Sequence, residues 1–106
     1  MFARNVSVRL KPNMLTEFNR TFENEILPVM RKQTGFCDEL ILANENGSHV
    51  TAISLWETKE QADAYDKTAY PQVLKSLGKV LDGAPKVYLN TVIISTSHGL
   101  STAVAA

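Results

Sequence analysis

The side chains of this sequence best suited to chemistry are aromatic and amide groups rather than metal ligands. Trp56 is the only Trp, and Ala52 and Ser54 precede it at two-residue steps. In an extended segment these three share one face, so a large flat ring stands beside two small side chains and can wall a cavity for an aromatic molecule. The same ring serves equally well to fill a core. Tyr65 and Tyr70 supply phenolic hydroxyls able to hydrogen-bond a quinol or its anion, as does Tyr88. Tyr65 leads, because it lies two helical turns beyond the Trp and can turn back toward the sheet. Asn90 interrupts a strand rich in β-branched residues, and its amide needs partners if it points inward. The candidate pocket set is therefore Trp56, Tyr65, Tyr70 and Asn90, with the proton acceptor unidentified.

Other groups read as inert. Cys37 is unpaired and behaves as a small apolar residue. His49 and His98 read as exposed, and Glu23 and Glu25 as charges on a solvated helix face. Asp38 and Glu39 are adjacent on a strand, so they fall on opposite faces and do not share a substrate. The sequence holds no Gly-rich phosphate loop, no His-Glu metal spacing and no pattern that sets Ser, His and Asp together. No metal and no cofactor are expected.

Composition narrows the classes further. A chain of 106 residues supports one domain and one core. Eleven basic residues balance eleven acidic ones, which leaves no electrostatic footprint for nucleic acid or an anionic membrane. The single Cys suits a reducing compartment, and no apolar run approaches the roughly 20 residues of a membrane span. A cytoplasmic location is expected.

The elements that must position these side chains follow from periodicity. Val6 to Leu10 alternates as a half-buried strand and stops at Lys11-Pro12. Asn13 is placed to cap a helix whose apolar stripe runs through Leu15, Phe18, Phe22, Ile26, Val29 and Met30, with a bend expected at Pro28. Gly35 ends it, and Phe36 to Ala43, a turn over Asn44 to Ser48, and His49 to Trp56 make a hairpin. Thr58 and Gln61 have the capping-box form before a short helix, and Pro71 starts a second helical series carrying Val73, Leu74, Leu77, Val80 and Leu81. Val87 to Ser95 is the last strand. A single domain over 1–96 and a mobile tail over 97–106 are expected.

This order gives an α+β fold of the ferredoxin-like split β-α-β type with an antiparallel sheet. Helices cover one sheet face, and the other carries Ile53 and Leu55 with further apolar side chains. Its cheapest cover is the same face of a second copy, so a homodimer with two sheets packed as a barrel is expected.

The segment Ser54-Leu55-Trp56-Glu57-Thr58-Lys59-Glu60-Gln61-Ala62, after a strand opening at Gly35-Phe36, resembles the antibiotic biosynthesis monooxygenase domain family of dimeric α+β barrels. The likeness extends from about Val6 to Ile94. It implies either cofactor-independent oxygenation of polyketide quinols or the binding and opening of haem. In the quinol oxygenases the resemblance sets the Trp with an Asn four residues earlier and a Tyr six later; here those positions hold Ala52 and Ala62, so Trp56 alone carries over. The haem enzymes combine an Asn on the first strand, the same Trp and a His on the following helix. No His lies between Thr58 and Leu81, and Asn5 is one residue from the required position, which Val6 occupies on the opposite face. The leading expectation is a cofactor-independent monooxygenase of a small aromatic phenol or quinol. The alternative is a non-catalytic dimer that binds a small ligand, with haem-binding or isomerase roles ranked below it.

Overall fold

The computed structural model describes residues 1–98 and the backbone of Leu100 and Ser101. Its sheet is built on β1 (Phe2–Arg9), in which Phe2, Arg4, Val6 and Val8 are buried at alternate positions. The strand begins four residues before the expected Val6 because this stretch pairs on both sides. It lies antiparallel between β3 (His49–Trp56) and β4 (Lys86–Thr91), while β2 (Phe36–Ala43) pairs with β3 at the far edge. The order β2-β3-β1-β4 is the ferredoxin-like arrangement.

The last strand is shorter than expected. Thr91 stands opposite Phe2, the first residue of β1, so the sheet has no partner strand to offer beyond it. After one further bond, from the Val92 N–H to the Met1 carbonyl at 3.0 Å, the chain leaves the sheet. Ile94–Ser95 (β5) instead pairs with Leu100–Ser101 (β6) in a small hairpin. Positions 99 and 102–106 of the expected tail lie outside the described residues.

The first helical stretch consists of α1 (Leu15–Thr21), a π turn over Phe22–Ile26 and α2 (Leu27–Arg31). The irregularity expected at Pro28 is taken up one turn earlier. Pro28 has no N–H and its ring crowds the carbonyl four residues back. The chain widens there, so that the Leu27 N–H reaches the Phe22 carbonyl five residues behind. Asn13 does not cap this helix, contrary to expectation: it takes a left-handed conformation at φ 60°, and Met14 occupies the cap position without a side-chain bond. Thr58 does close the expected capping box with Gln61 at the start of α3 (Lys59–Thr68), and α4 (Tyr70–Leu77) follows with Pro71 in its first turn.

Helices cover the sheet face that carries the alternate residues of β1. Phe18, Phe22, Ile26 and Met30 meet Val6, Val8, Val50 and Trp56 there, and Tyr65, Val73 and Leu77 close the layer. The opposite face carries Leu40 and Leu42 of β2, Ile53 and Leu55 of β3 and Tyr88 of β4. Leu40, Leu42 and Tyr88 are each about half exposed, at 49%, 52% and 55%.

One glycine joins the two halves. Gly35 has φ 83°, and a Cβ at that position would collide with the Gln61 carboxamide that completes the α3 capping box. Gly35→Ala is therefore expected to lower stability by about 1–3 kcal/mol, through backbone strain and displacement of Gln61. Urea denaturation checks this, and a midpoint equal to that of the parent protein would contradict it.

Candidate functional site

A cavity of about 40 Å³ lies between the covered face of the sheet and the helices. Most of its wall is apolar, from Val6, Val8, Phe18, Phe22, Met30 and Leu77. Ser54 and Tyr65 line it, and three further polar side chains break into it: Arg4, Glu39 and Tyr70.

The sheet register sets two of them in a row. Arg4 on β1 is opposite Ser54 on β3, and Ser54 is opposite Glu39 on β2. All three side chains share the helix-covered face. A bulge between Phe36 and Asp38 adjusts β2 so that Glu39, not Asp38, points inward. The two carboxylates thus lie on opposite faces, as their adjacency requires.

Arg4 is 2% exposed. Its Nη2 donates to Asp66 Oδ1 on α3 at 2.7 Å. Its guanidinium carbon sits 4.3 Å from the centre of the Tyr70 ring and 5.2 Å from that of Tyr65, so two aromatic faces take part of the charge. Three buried polar atoms nevertheless lack hydrogen-bond partners: Arg4 Nε, Glu39 Oε1 and the Tyr70 hydroxyl. All three belong to residues that line this one cavity. Buried groups left unmatched cost about 1–3 kcal/mol each, so their convergence needs an explanation.

Burial also changes their protonation. The Glu39 carboxyl is pushed up to about 8, chiefly by burial, with the Arg4 charge acting against the shift and Asp38 adding to it. Burial raises the Tyr65 phenol well above its ordinary range, opposed by Arg4. It raises the Tyr70 phenol as well, again opposed by Arg4, whose guanidinium stacks on the ring without completing a hydrogen bond to the hydroxyl.

The residues expected at a pocket are divided among three places. Tyr65 and Tyr70 line the cavity, with ring centres 5.9 Å apart. Trp56 is fully buried one ring behind them, 5.1 Å from Tyr65 and edge-on to Phe36, and its indole N–H donates to Ser54 Oγ at 2.9 Å. Its own side chain does not line the cavity. Asn90 is exposed on β4 opposite Ala3, on the face turned away from the helices. Asn5 shares that outer face and Val6 the inner one, as the one-residue offset requires.

Arg4 and Glu39 were not visible as candidates. Each breaks a period-two apolar run, Arg4 between Phe2 and Val6 and Glu39 before Ile41. A charge at an inward position is the signal that could have exposed them. His98 is also less isolated than expected. Its Nδ1 lies 3.0 Å from Ser95 Oγ, and its Nε2 stands 4.0 Å from Asp38 Oδ2. Ser97 Oγ competes for the same Nδ1 at 3.2 Å, and the Asp contact exceeds hydrogen-bond length. Cys37 is half-buried, its thiol on the Gly35 carbonyl at 3.4 Å and pushed up by burial. Among the described residues no three His, Cys, Asp or Glu side chains gather as a metal site, and no helix is long and apolar enough to cross a membrane.

Fold and cavity together define a ferredoxin-like α+β domain with a guanidinium and a carboxyl group held under its helices. The chain belongs to the antibiotic biosynthesis monooxygenase family, whose profile matches residues 1–74 and so takes in every polar residue of the cavity. Solved structures share the fold at low identity. A monooxygenase from the gene ActVA-Orf6 of Streptomyces coelicolor, in complex with the ligand nanaomycin D, superposes with a TM-score of 0.75 at 17% identity, covering 89% of this chain and 88% of that one. Rv0793 from Mycobacterium tuberculosis gives 0.70 at 12% identity, over 90% of this chain and 97% of its own. A conserved protein from Methanosarcina mazei gives 0.70 at 18%, over 85% and 91%. No curated protein matches the sequence.

The raised Glu39 carboxyl has a consequence for stability. Its ordinary value is 4.5 and its folded value about 8, so between those limits the folded chain holds a proton that the unfolded chain has released. Stability must then fall as pH rises through this window and level off above it. Urea midpoints measured at about pH 5 and about pH 9 are expected to drop for the parent protein and to drop less for Glu39→Gln. Equal declines in both would show that Glu39 is not the group responsible.

Proposed function

We propose that the cavity is the active site of a cofactor-independent monooxygenase acting on an electron-rich phenol or quinol. One observation carries the reading: three unpartnered polar atoms, on a guanidinium, a carboxyl and a phenol, converge inside one apolar enclosure. A phenol supplies what each lacks. Its O–H donates to Glu39, and its oxygen accepts from the Arg4 Nε–H and the Tyr70 hydroxyl.

The chemistry then needs little from the protein. Glu39, poised near neutral pH, accepts the phenolic proton, and the Arg4 guanidinium stabilises the phenolate that forms. The phenolate reduces molecular oxygen by one electron, the two radicals combine at a ring carbon, and the peroxide takes up the proton from Glu39. Loss of water, with the ring C–H proton as its second hydrogen, leaves the quinone. One substrate molecule and one O₂ thus give one quinone and one water. The apolar walls keep bulk water from quenching the carbanion-like ring position. Trp56 acts from behind, holding Tyr65 and Ser54.

Family membership supports this reading, as does the S. coelicolor neighbour, a monooxygenase in complex with nanaomycin D on the same fold. The replacement of both expected Trp56 partners by Ala52 and Ala62 favours a second reading, in which the cavity binds an aromatic molecule without turnover. Oxygen uptake with a panel of dihydroxynaphthalenes and anthrones separates the two. The parent protein is expected to consume oxygen with kcat/KM rising as pH approaches about 8. Glu39→Gln should lose about 10²–10⁴-fold and the pH dependence with it. Binding without uptake across the panel would establish the second reading.

We also propose that the active form is a cytoplasmic homodimer joined through the uncovered sheet face, with residues 1–96 as the domain. Leu40, Leu42 and Tyr88 give that face an apolar surface unlike that of a monomer. Leu42→Glu sets two like charges close together in a two-fold interface and is expected to yield monomers at micromolar concentration in sedimentation velocity. A parent protein that already sediments as a monomer would refute the dimer.

A further inference from the structure

The cavity beside Arg4 and Glu39 has a volume of about 40 Å³, whereas pockets that enclose small organic ligands run to roughly 300–1,000 Å³. A second hollow of about 310 Å³ lies in the trough between the first helix and edge strand β2. Leu15, Leu27, Ile41 and Ala43 make it largely apolar, and exposed Glu23 lies along it. Among the described residues, Phe22 alone lines both hollows. The two spaces also follow one strand: Glu39, Ile41 and Ala43 are successive inward positions of β2, about 7 Å apart at each step, so the trough runs along β2 toward Glu39 with Phe22 between them.

Phe22 sits where the helix is least regular. It opens the π turn, its carbonyl is bonded five residues ahead, and Pro28 withholds a backbone donor one turn on. Its ring, stacked on Phe18 with centres 5.7 Å apart, forms the partition between the two hollows.

We propose that the trough between the first helix and β2 binds the hydrocarbon body of the aromatic substrate, and that rotation of Phe22 joins it to the polar cavity, where the substrate hydroxyl meets Glu39 and Arg4. The occupant is a flat, fused-ring phenol without a carboxylate at its far end, since Glu23 would repel one there. This rests on reading the cavity as a phenol site, and it accounts for how so small a cavity can serve a molecule of that size.

The test uses 2-naphthol as the probe, its fluorescence followed by stopped flow, with two variants. Ala43 is exposed, so Ala43→Phe fills the trough without touching the core and is expected to weaken binding about tenfold. Phe22→Ala removes the partition and is expected to speed association about tenfold, with circular dichroism confirming that the chain is folded. If Ala43→Phe binds within about twofold of the parent protein, or if the parent does not bind 2-naphthol, the proposal is overturned. Oxygen uptake distinguishes it from the catalytic reading. Naphthol binding that responds to Ala43→Phe without oxygen consumption by any variant keeps the trough and removes the oxygenase. Turnover of dihydroxynaphthalenes with a KM indifferent to Ala43→Phe keeps the oxygenase and removes the trough.

Discussion

The structure is organised around a guanidinium placed where a hydrophobic side chain would be expected. Arg4 occupies an inward position at the centre of the sheet, and taking such a charge out of water costs several kcal/mol unless the surroundings compensate. Compensation comes from one carboxylate and two aromatic faces. Asp66 accepts from Nη2, and Tyr65 and Tyr70 lie against the plane of the charge. Asp66 is about half exposed, at 52%, so its bond reaches from the buried strand to the solvent edge of α3. That arrangement fixes α3 over β1, sets both tyrosines at the cavity, and opposes the rise that burial imposes on Glu39, Tyr65 and Tyr70.

The compensation is incomplete, and the shortfall is local. Arg4 has a satisfied end toward Asp66 and an unsatisfied Nε toward the cavity, where Glu39 and Tyr70 are unmatched too. Folding alone would be better served by apolar residues of the same size at these positions. A site that must recognise a hydroxyl keeps such groups available, because a ligand that lacks the matching atoms leaves them unpaired and is rejected. The sheet's other face works on different terms: it presents mainly apolar side chains around Leu40 and Leu42 and calls for shape rather than for paired polar atoms.

The fold was largely legible from the sequence because its signals are local. Thr58 and Gln61 announce α3, and alternation the strands; Gly35 is left-handed as expected but lies three residues beyond Lys32, where the first helical stretch is capped. The departures arise where a local rule met a tertiary one. Alternation at Val87 to Ser95 suggested a long strand, but the length of β1 limited its pairing to Thr91. Asn13 had the right side chain for a cap and the wrong backbone for it. The cavity was legible only in its aromatic part. Tyr65 follows from its helical distance to the Trp, whereas Arg4 and Glu39 meet across two strand pairs, and nothing in either segment alone reveals that they face one another. A charge inside an apolar alternation marks each as anomalous; only the register shows that the anomalies coincide.

The same register explains what Trp56 does without reaching the cavity. Ser54 stands between Arg4 and Glu39 on the inner face, a hydroxyl in place to satisfy either of them. Its oxygen accepts the Trp56 indole N–H at 2.9 Å, which fixes the Ser54 side chain beside the ring and leaves its own proton free to donate. Glu39 Oε1 has no hydrogen-bond partner, in an environment where burial pushes its carboxyl up to about 8. A neutral donor bonded to the ionised carboxylate would favour that form and draw the value back toward the ordinary carboxylate range. Glu39 is both unpartnered and shifted toward neutral pH, the two properties a proton acceptor for a phenol needs, while Trp56 anchors the Ser54 side chain that stands between it and Arg4. A residue that looked like the wall of the site from the sequence thus acts as a fixture behind it.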